Sequence, residues 1–62
     1  MSNAKDMEET LLSIWRSRNS HQENSNRWQD LEDQAWSIRN KLSEIDSSKY
    51  DVAFFQDLYR YI

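Results

Sequence analysis

The feature that most constrains this chain is a stripe of apolar residues that recur every three or four positions. The stripe consists of Trp28, Leu31, Ala35, Ile38, Leu42 and Ile45. This is the spacing of a coiled-coil seam, so these side chains are predicted to share one face of a single helix. At about 1.5 Å per residue, a helix from about Asn24 to Ile45 would be about 33 Å long. A stripe of that length has to be covered by the rest of the chain or by a second chain.

Glycine and proline are both absent from the 62 residues. Tight β-hairpin turns rely on glycine for positive φ, and no segment alternates apolar and polar residues as a half-buried strand does. The chain is therefore predicted to be all-α, with turns built from Ser, Asn and Asp. One small domain spanning residues 1–62 is expected, since a chain of this length supports a single core at most.

The chain has no cysteine and one histidine, so neither a disulfide nor a structural zinc site is expected. For so small a domain, the remaining means of stabilisation are well-formed helices and self-association. The predicted fold is an antiparallel helical hairpin with a short third helix, completed by dimerisation. The lack of cysteine fits a cytoplasmic location.

Three helices are predicted, at about residues 4–18, 22–45 and 49–61. The first is amphipathic, with apolar residues at helical spacing from Met7 to Trp15 and with Ser2 or Asn3 as its N-cap.

The polar stretch at residues 19–26 contains no aliphatic or aromatic side chain. Its Asn and Ser side chains compete for backbone hydrogen bonds, which predicts a turn at residues 19–22. Ser20 and Glu23 then have the spacing of a capping box for the second helix. A bent continuous helix is the alternative, because a Glu23–Arg27 pair would support helix through this stretch.

The predicted third helix is dense in aromatic residues. Ser48 and Asp51 are spaced as a capping box for its start. Phe55 belongs to one apolar stripe of this helix, whereas Phe54 and Tyr61 form an adjacent stripe. Two stripes present more surface than one neighbouring helix covers, so part of this helix is predicted to face another subunit or a target.

Two groups of polar residues are candidates for chemistry. Asp30, Glu32 and Asp33 lie together, but a carboxylate pair in an active site needs a cleft that raises one pKa. A solvated helix face, or an acidic docking surface for a basic partner, is expected instead. His21 has no second ligand or nucleophile at a useful spacing, so a solvated turn histidine is expected.

These observations predict a protein that is not an enzyme and has no catalytic, cofactor-binding or metal-binding residue and no small-molecule substrate. The net charge of −3, from 11 acidic and 8 basic residues, argues against direct nucleic-acid binding. No apolar segment approaches the about 18 residues of a membrane span, and no charged-then-apolar leader is present, so neither is expected.

The predicted function is that of a small protein–protein interaction module, an adaptor or inhibitor such as a phage-type regulator of a larger host complex. The predicted partner-binding residues are Trp36, Phe54, Tyr61, Asp30, Glu32 and Asp33. One alternative is an acidic mimic of DNA or RNA that blocks a nucleic-acid-binding protein. A second alternative is a coiled-coil oligomerisation element. A protein partner and a homodimer are both expected.

Part of the apolar stripe resembles a known structural repeat. Arg27, Trp28, Leu31, Ala35 and Leu42 resemble the start of the first helix of a spectrin-type repeat. The resemblance implies a helical heptad pattern over one stretch of the second helix. Such repeats contain further helices and are longer than this chain, so no family is assigned on these residues.

Overall fold

A computed structural model describes residues 3–62, which form three helices and contain no strand. The helices are α1 (Asn3–Asn19), α2 (Asn26–Ile45) and α3 (Val52–Tyr59). The all-α prediction is therefore confirmed. The predicted bounds are close for α1, whereas α2 begins later than predicted and α3 is shorter at both ends. The predicted Ser2 cap lies outside the described residues. Within them, no helix is long and apolar enough to cross a membrane.

The connection between α1 and α2 is a turn, so the alternative of one bent helix is wrong. Asn24 has φ 66°, in the left-handed region that asparagine tolerates better than most residues. The N-cap of α2 is Ser25, whose backbone is extended and whose hydroxyl accepts a hydrogen bond from Trp28 N at 3.3 Å. The predicted Ser20 capping box is wrong, since the Ser20 hydroxyl instead donates to Ser17 O at 2.6 Å.

The start of α3 also differs from the prediction. Asp51 is its N-cap and accepts a hydrogen bond from Phe54 N at 2.9 Å. Ser48 lies one turn earlier, where its hydroxyl donates to Asp46 Oδ1 at 2.8 Å. That hydrogen bond, together with those from the backbone N–H groups of Lys49 and Ser48, lowers the pKa of Asp46. Residues 46–49 therefore form a side-chain-stabilised turn rather than the first turn of α3.

The core is a cluster of buried apolar side chains contributed by all three helices and by the turn before α3. Its members are Leu11, Trp15, Ala35, Leu42, Tyr50 and Phe55. Leu11 and Leu42 are fully buried, and Ile38 packs against the cluster from a half-buried position. α1 packs closely along α2, whereas α3 approaches the other helices at few places.

The apolar stripe of α2 is buried at its centre and exposed to solvent towards its ends. Leu31, Ala35 and Leu42 are buried, as the heptad spacing predicts. Ile45, the last residue of α2, is 54% exposed and is not covered by the rest of the chain. Trp28 is half-buried near the other end of the helix.

Polar contacts join α1 to the two ends of α2. Near the end of α1, Arg18 Nη1 contacts Glu32 Oε1 in the first part of α2 at 2.5 Å. Near the start of α1, Glu8 Oε2 accepts a hydrogen bond of 2.6 Å from the hydroxyl of Tyr50, which follows α2. These contacts, together with the buried cluster between them, fix α1 lengthwise on α2.

Candidate functional site

A groove lies between α2 and α3, with Trp15 and Arg18 of α1 contributing to its lining, and is called here the α2–α3 groove. Its main part has a volume of about 370 Å³ and is lined by Ala35 and Phe55 of the core together with exposed neighbours such as Trp36 and Val52. A second part of about 270 Å³ shares Trp36, Val52 and Phe55 and continues the groove to Ser43. Volumes of this size accommodate a few amino-acid side chains.

The rim of the groove exposes a large amount of apolar surface. Trp36 is 48% exposed on α2, and Val52 and Tyr59 are exposed at the two ends of α3. Single exposed apolar residues are common on proteins, but three around one groove form a patch of the kind that marks interaction sites. Phe55, at the base of the groove, is buried and belongs to the core.

An arginine lies against the aromatic residues of this groove. The guanidinium carbon of Arg39 is 4.1 Å from the centre of the Trp36 ring and 4.7 Å from that of Phe55. The attraction of a cation to the face of an aromatic ring stabilises this arrangement. Burial lowers the pKa of Arg39, and the nearby charge of Glu32 acts in the opposite direction.

A second arginine at the groove has its donors satisfied by the protein. Arg18 is buried, and its Nη1 contacts Glu32 while its Nη2 donates to the Tyr59 hydroxyl at 2.7 Å. Its Nε and Nη2 also donate to Asn19 Oδ1, at 3.1 and 2.8 Å. The guanidinium therefore links α1 to α2 and α3 at this end of the groove.

Glu32 uses both carboxylate oxygens in contacts within the protein. Oε1 contacts Arg18, and Oε2 accepts a hydrogen bond of 3.3 Å from the indole N–H of Trp36. The predicted acidic cluster is thereby divided, because Asp30 and Asp33 are exposed and do not line the groove. Glu32 orients groove residues, so it is not a free carboxylate for a partner.

The other two predicted aromatic residues lie away from the groove lining. Phe54 is half-buried, with its ring centre 4.8 Å from that of Tyr50 and 5.6 Å from that of Phe55, in edge-to-face contacts. Tyr61 is 74% exposed and follows α3, where its carbonyl accepts a hydrogen bond of 3.5 Å from Arg16. Of the predicted partner-binding residues, the groove thus brings together only Trp36 and Glu32.

Sequence analysis missed Arg39, Val52 and Tyr59 as groove residues. Arg39 had a local signal, because residues three apart on a helix are neighbours and Trp36 precedes it by that interval. Val52 and Tyr59 had no such signal, since their proximity to α2 depends on how the chain turns at residues 46–51.

Three further findings bear on the function. Within residues 3–62, no group of three or more His, Asp or Glu side chains is arranged to hold a metal ion. His21 is exposed in the turn after α1. Known protein families, curated proteins and solved structures provide no match to this chain.

Proposed function

We propose that this protein is a small non-enzymatic protein–protein interaction module and that its α2–α3 groove receives a segment of a protein partner. The observation that supports this most strongly is the exposed apolar rim formed by Trp36, Val52 and Tyr59. Tryptophan, tyrosine and arginine contribute disproportionately to the binding energy of protein interfaces. Here these residue types surround one groove.

Trp36 is held in place before any partner binds. Its indole N–H donates to Glu32, and its ring lies against the guanidinium of Arg39. A side chain that is already ordered loses little conformational entropy on binding, so more of its contact energy contributes to affinity. This organisation supports Trp36 as the anchor residue of the interface.

In this proposal, the protein acts as an adaptor or inhibitor in the cytoplasm by occupying a site on a larger protein. A phage-type regulator of a host complex is one protein class of this size and kind. The exposed Asp30 and Asp33 would add an acidic edge that steers a basic region of the partner.

The proposal includes an antiparallel hairpin of α1 and α2 that associates into a dimer. The hairpin is supported by the contacts of Arg18 with Glu32 and of Glu8 with Tyr50, which join one end of α1 to the first part of α2 and its other end to the turn that follows α2. The dimer is supported by Ile45, which extends the apolar seam beyond the covered part of α2. Sedimentation at tens of micromolar should give a dimer, and a monomer whose melting temperature is independent of concentration would exclude it.

The test of the interaction function is affinity capture with the full chain as bait, followed by binding measurements with variants. Trp36→Ala should accelerate dissociation of the captured partner and weaken the complex. Tyr61→Ala is the matched control, since it removes an exposed aromatic side chain outside the groove lining. That control should bind as the unmodified protein does.

The same assay separates this proposal from polyanion mimicry. If the carboxylates of Asp30 and Asp33 carried the binding, their replacement by Asn would slow association, and affinity would decrease steeply with salt. Binding that survives Trp36→Ala but is lost on neutralising these carboxylates and at moderate salt would contradict the proposal and favour a DNA or RNA mimic.

A further inference from the structure

The two arginines of the α2–α3 groove differ in what they bind. Arg18 is paired with Glu32, and its remaining donors reach Asn19 and Tyr59. Arg39 has no ion pair with any carboxylate of residues 3–62. Its Nε is buried and has no hydrogen-bond acceptor among those residues. The buried Nε is out of a partner's reach, but the terminal Nη groups of this half-buried side chain also have no acceptor among residues 3–62, so they are available to bind one.

The aromatic contacts of Arg39 leave that capacity intact. The guanidinium is planar, and its five N–H groups point outward within the plane. Trp36 and Phe55 contact the guanidinium through their ring faces, at 4.1 and 4.7 Å from the ring centres to its carbon. These contacts are made with aromatic rings, which offer no oxygen acceptor, so they do not use the guanidinium donors in conventional hydrogen bonds. A carboxylate matches such an edge with two parallel hydrogen bonds.

The charge around the groove also favours an anionic ligand at Arg39. In the main part of the groove, the charges of Arg18 and Glu32 compensate each other, which leaves the positive charge of Arg39. In the second part, the Asp51 carboxylate caps α3 by accepting a hydrogen bond from Phe54 N. Asp51 therefore balances Arg39 in the second part, whereas the lining of the main part has two arginines and one carboxylate. One excess cation in the main part suits a single carboxylate, whereas a doubly charged phosphate group is usually bound by several cations.

We infer that the α2–α3 groove recognises an acidic peptide segment of its partner, in which a Glu or Asp carboxylate pairs with Arg39 and an adjacent apolar side chain packs on Trp36 and Val52. This inference rests on the proposed function and specifies the chemistry of the partner. When the segment covers the groove, water is excluded around Arg39, which strengthens the charged hydrogen bonds. The acidic character of the chain as a whole does not oppose this pairing, because exposed charges beyond about 8–10 Å are largely screened at physiological salt.

The first experiment selects ligands without assuming their sequence. A phage-displayed library of random 12-residue peptides is selected on the full-length protein, and in parallel on Arg39→Gln. The expected result is enrichment of Asp or Glu next to an aliphatic or aromatic residue on the unmodified protein, and loss of the acidic preference on Arg39→Gln. Selection of basic peptides, of apolar peptides with no acidic residue or of no peptide would overturn the inference.

The second experiment measures the contribution of the carboxylate. The most enriched peptide and its counterpart with Glu replaced by Gln, or Asp by Asn, are compared by fluorescence polarisation on the unmodified protein. Loss of the carboxylate should weaken binding about tenfold or more, the effect expected for a charge-assisted hydrogen bond. Because this comparison alters only the peptide, it holds even if Arg39→Gln disturbs the packing around Phe55. Equal affinity of the two peptides would overturn the inference.

Protein variants then locate the site. Arg39→Gln should bind the acidic peptide and its neutral counterpart equally, and Arg39→Lys should recover only part of the difference, since lysine lacks the planar fork. Arg27→Gln is the matched control, because it makes the same charge change at an exposed position of α2 outside the groove lining. A loss of acidic preference in Arg27→Gln as large as that in Arg39→Gln would indicate a general charge effect and contradict the inference. If the selected peptides show no acidic preference but lose binding to Trp36→Ala, the proposed function stands and the pairing of a carboxylate with Arg39 is rejected.

Discussion

The interface of α1 with α2 and the groove between α2 and α3 differ in how completely their side chains are buried. Between α1 and α2, the side chains of Leu11, Trp15, Ala35 and Leu42 are buried in one continuous cluster. Between α2 and α3, aromatic rings and arginines meet around a space of about 370 Å³ that stays open to solvent. The first region excludes water and holds the fold together, whereas the second leaves apolar surface exposed.

The lengths of the helices account for this difference. α1 and α2 have 17 and 20 residues, so they can pack along most of the apolar stripe. α3 has 8 residues, which is little more than two turns. So short a helix cannot cover a second stripe on α2. The covered face of α2 therefore determines the fold, and an adjacent face of α2 remains partly exposed.

The largest effect on stability should come from a change in the interface between α1 and α2. Leu42→Ala removes a fully buried side chain and should lower the free energy of unfolding by about 2–5 kcal/mol. Urea or thermal unfolding followed by far-UV circular dichroism measures this. Ile45→Ala is the control on the same stripe, since Ile45 is 54% exposed and its truncation should cost far less. Equal losses for the two variants would contradict the distinction between the covered centre and the open end of the stripe.

A smaller effect is expected where the two regions meet. Glu32→Gln removes the negative charge that faces the buried Arg18, so unfolding free energy should decrease by about 1–3 kcal/mol. The change should also alter tryptophan fluorescence, because Glu32 accepts the hydrogen bond of Trp36. Asp33→Asn makes the same charge change at an exposed position and should stay within about 0.5 kcal/mol. A loss of stability in Asp33→Asn that equals that in Glu32→Gln would indicate that total charge matters more than this ion pair.

The far end of the α1–α2 interface should respond to alkaline pH. The hydrogen bond to Glu8, then burial and the charge of Glu8, raise the pKa of Tyr50, and Lys49 opposes this. A raised pKa means that the folded protein retains the phenolic proton more strongly than the unfolded chain. The corresponding stability is present below the unfolded pKa of about 10 and is lost as pH rises through the folded pKa.

The measurement is the melting temperature of the unmodified protein and of Tyr50→Phe between about pH 8 and 12. The unmodified protein should lose stability above about pH 10 more steeply than Tyr50→Phe, which has no hydroxyl to ionise. Titration of lysines affects both proteins alike, so the difference between the curves isolates Tyr50. Parallel curves would show that the contact between Glu8 and Tyr50 does not contribute to stability.

The smallest effect on stability should come from the groove. Trp36→Ala should lower unfolding free energy by about 1 kcal/mol or less, since half of this side chain is already in water. Its effect on partner binding should be much larger, as argued above. A loss of stability comparable to that of Leu42→Ala would place Trp36 in the core of the fold and would remove the contrast between the two regions.

Local patterns in the sequence were sufficient for the helices and for much of the core. The heptad spacing of α2 predicts that Leu31, Ala35 and Leu42 share a buried face, and the absence of glycine and proline favours helices throughout. Both features act through neighbouring residues along the chain, which is why they can be read without a structure. The caps were predicted less well. Ser20 and Ser48 had suitable spacing, but the backbone leaves the helix at Ser25 and Asp51 instead.

The sequence by itself therefore determined the helical class and the covered face of α2, because these follow from composition and periodicity. It also marked Trp36 as a candidate interface residue, because of its residue type. The tertiary structure alone decided that Glu32 pairs with Arg18, and that Arg39 lies without an ion pair in a groove with Val52. The side chains of these contacts come from different helices. Their distances depend on how three helices pack, and the spacing of residues along one chain does not contain that information.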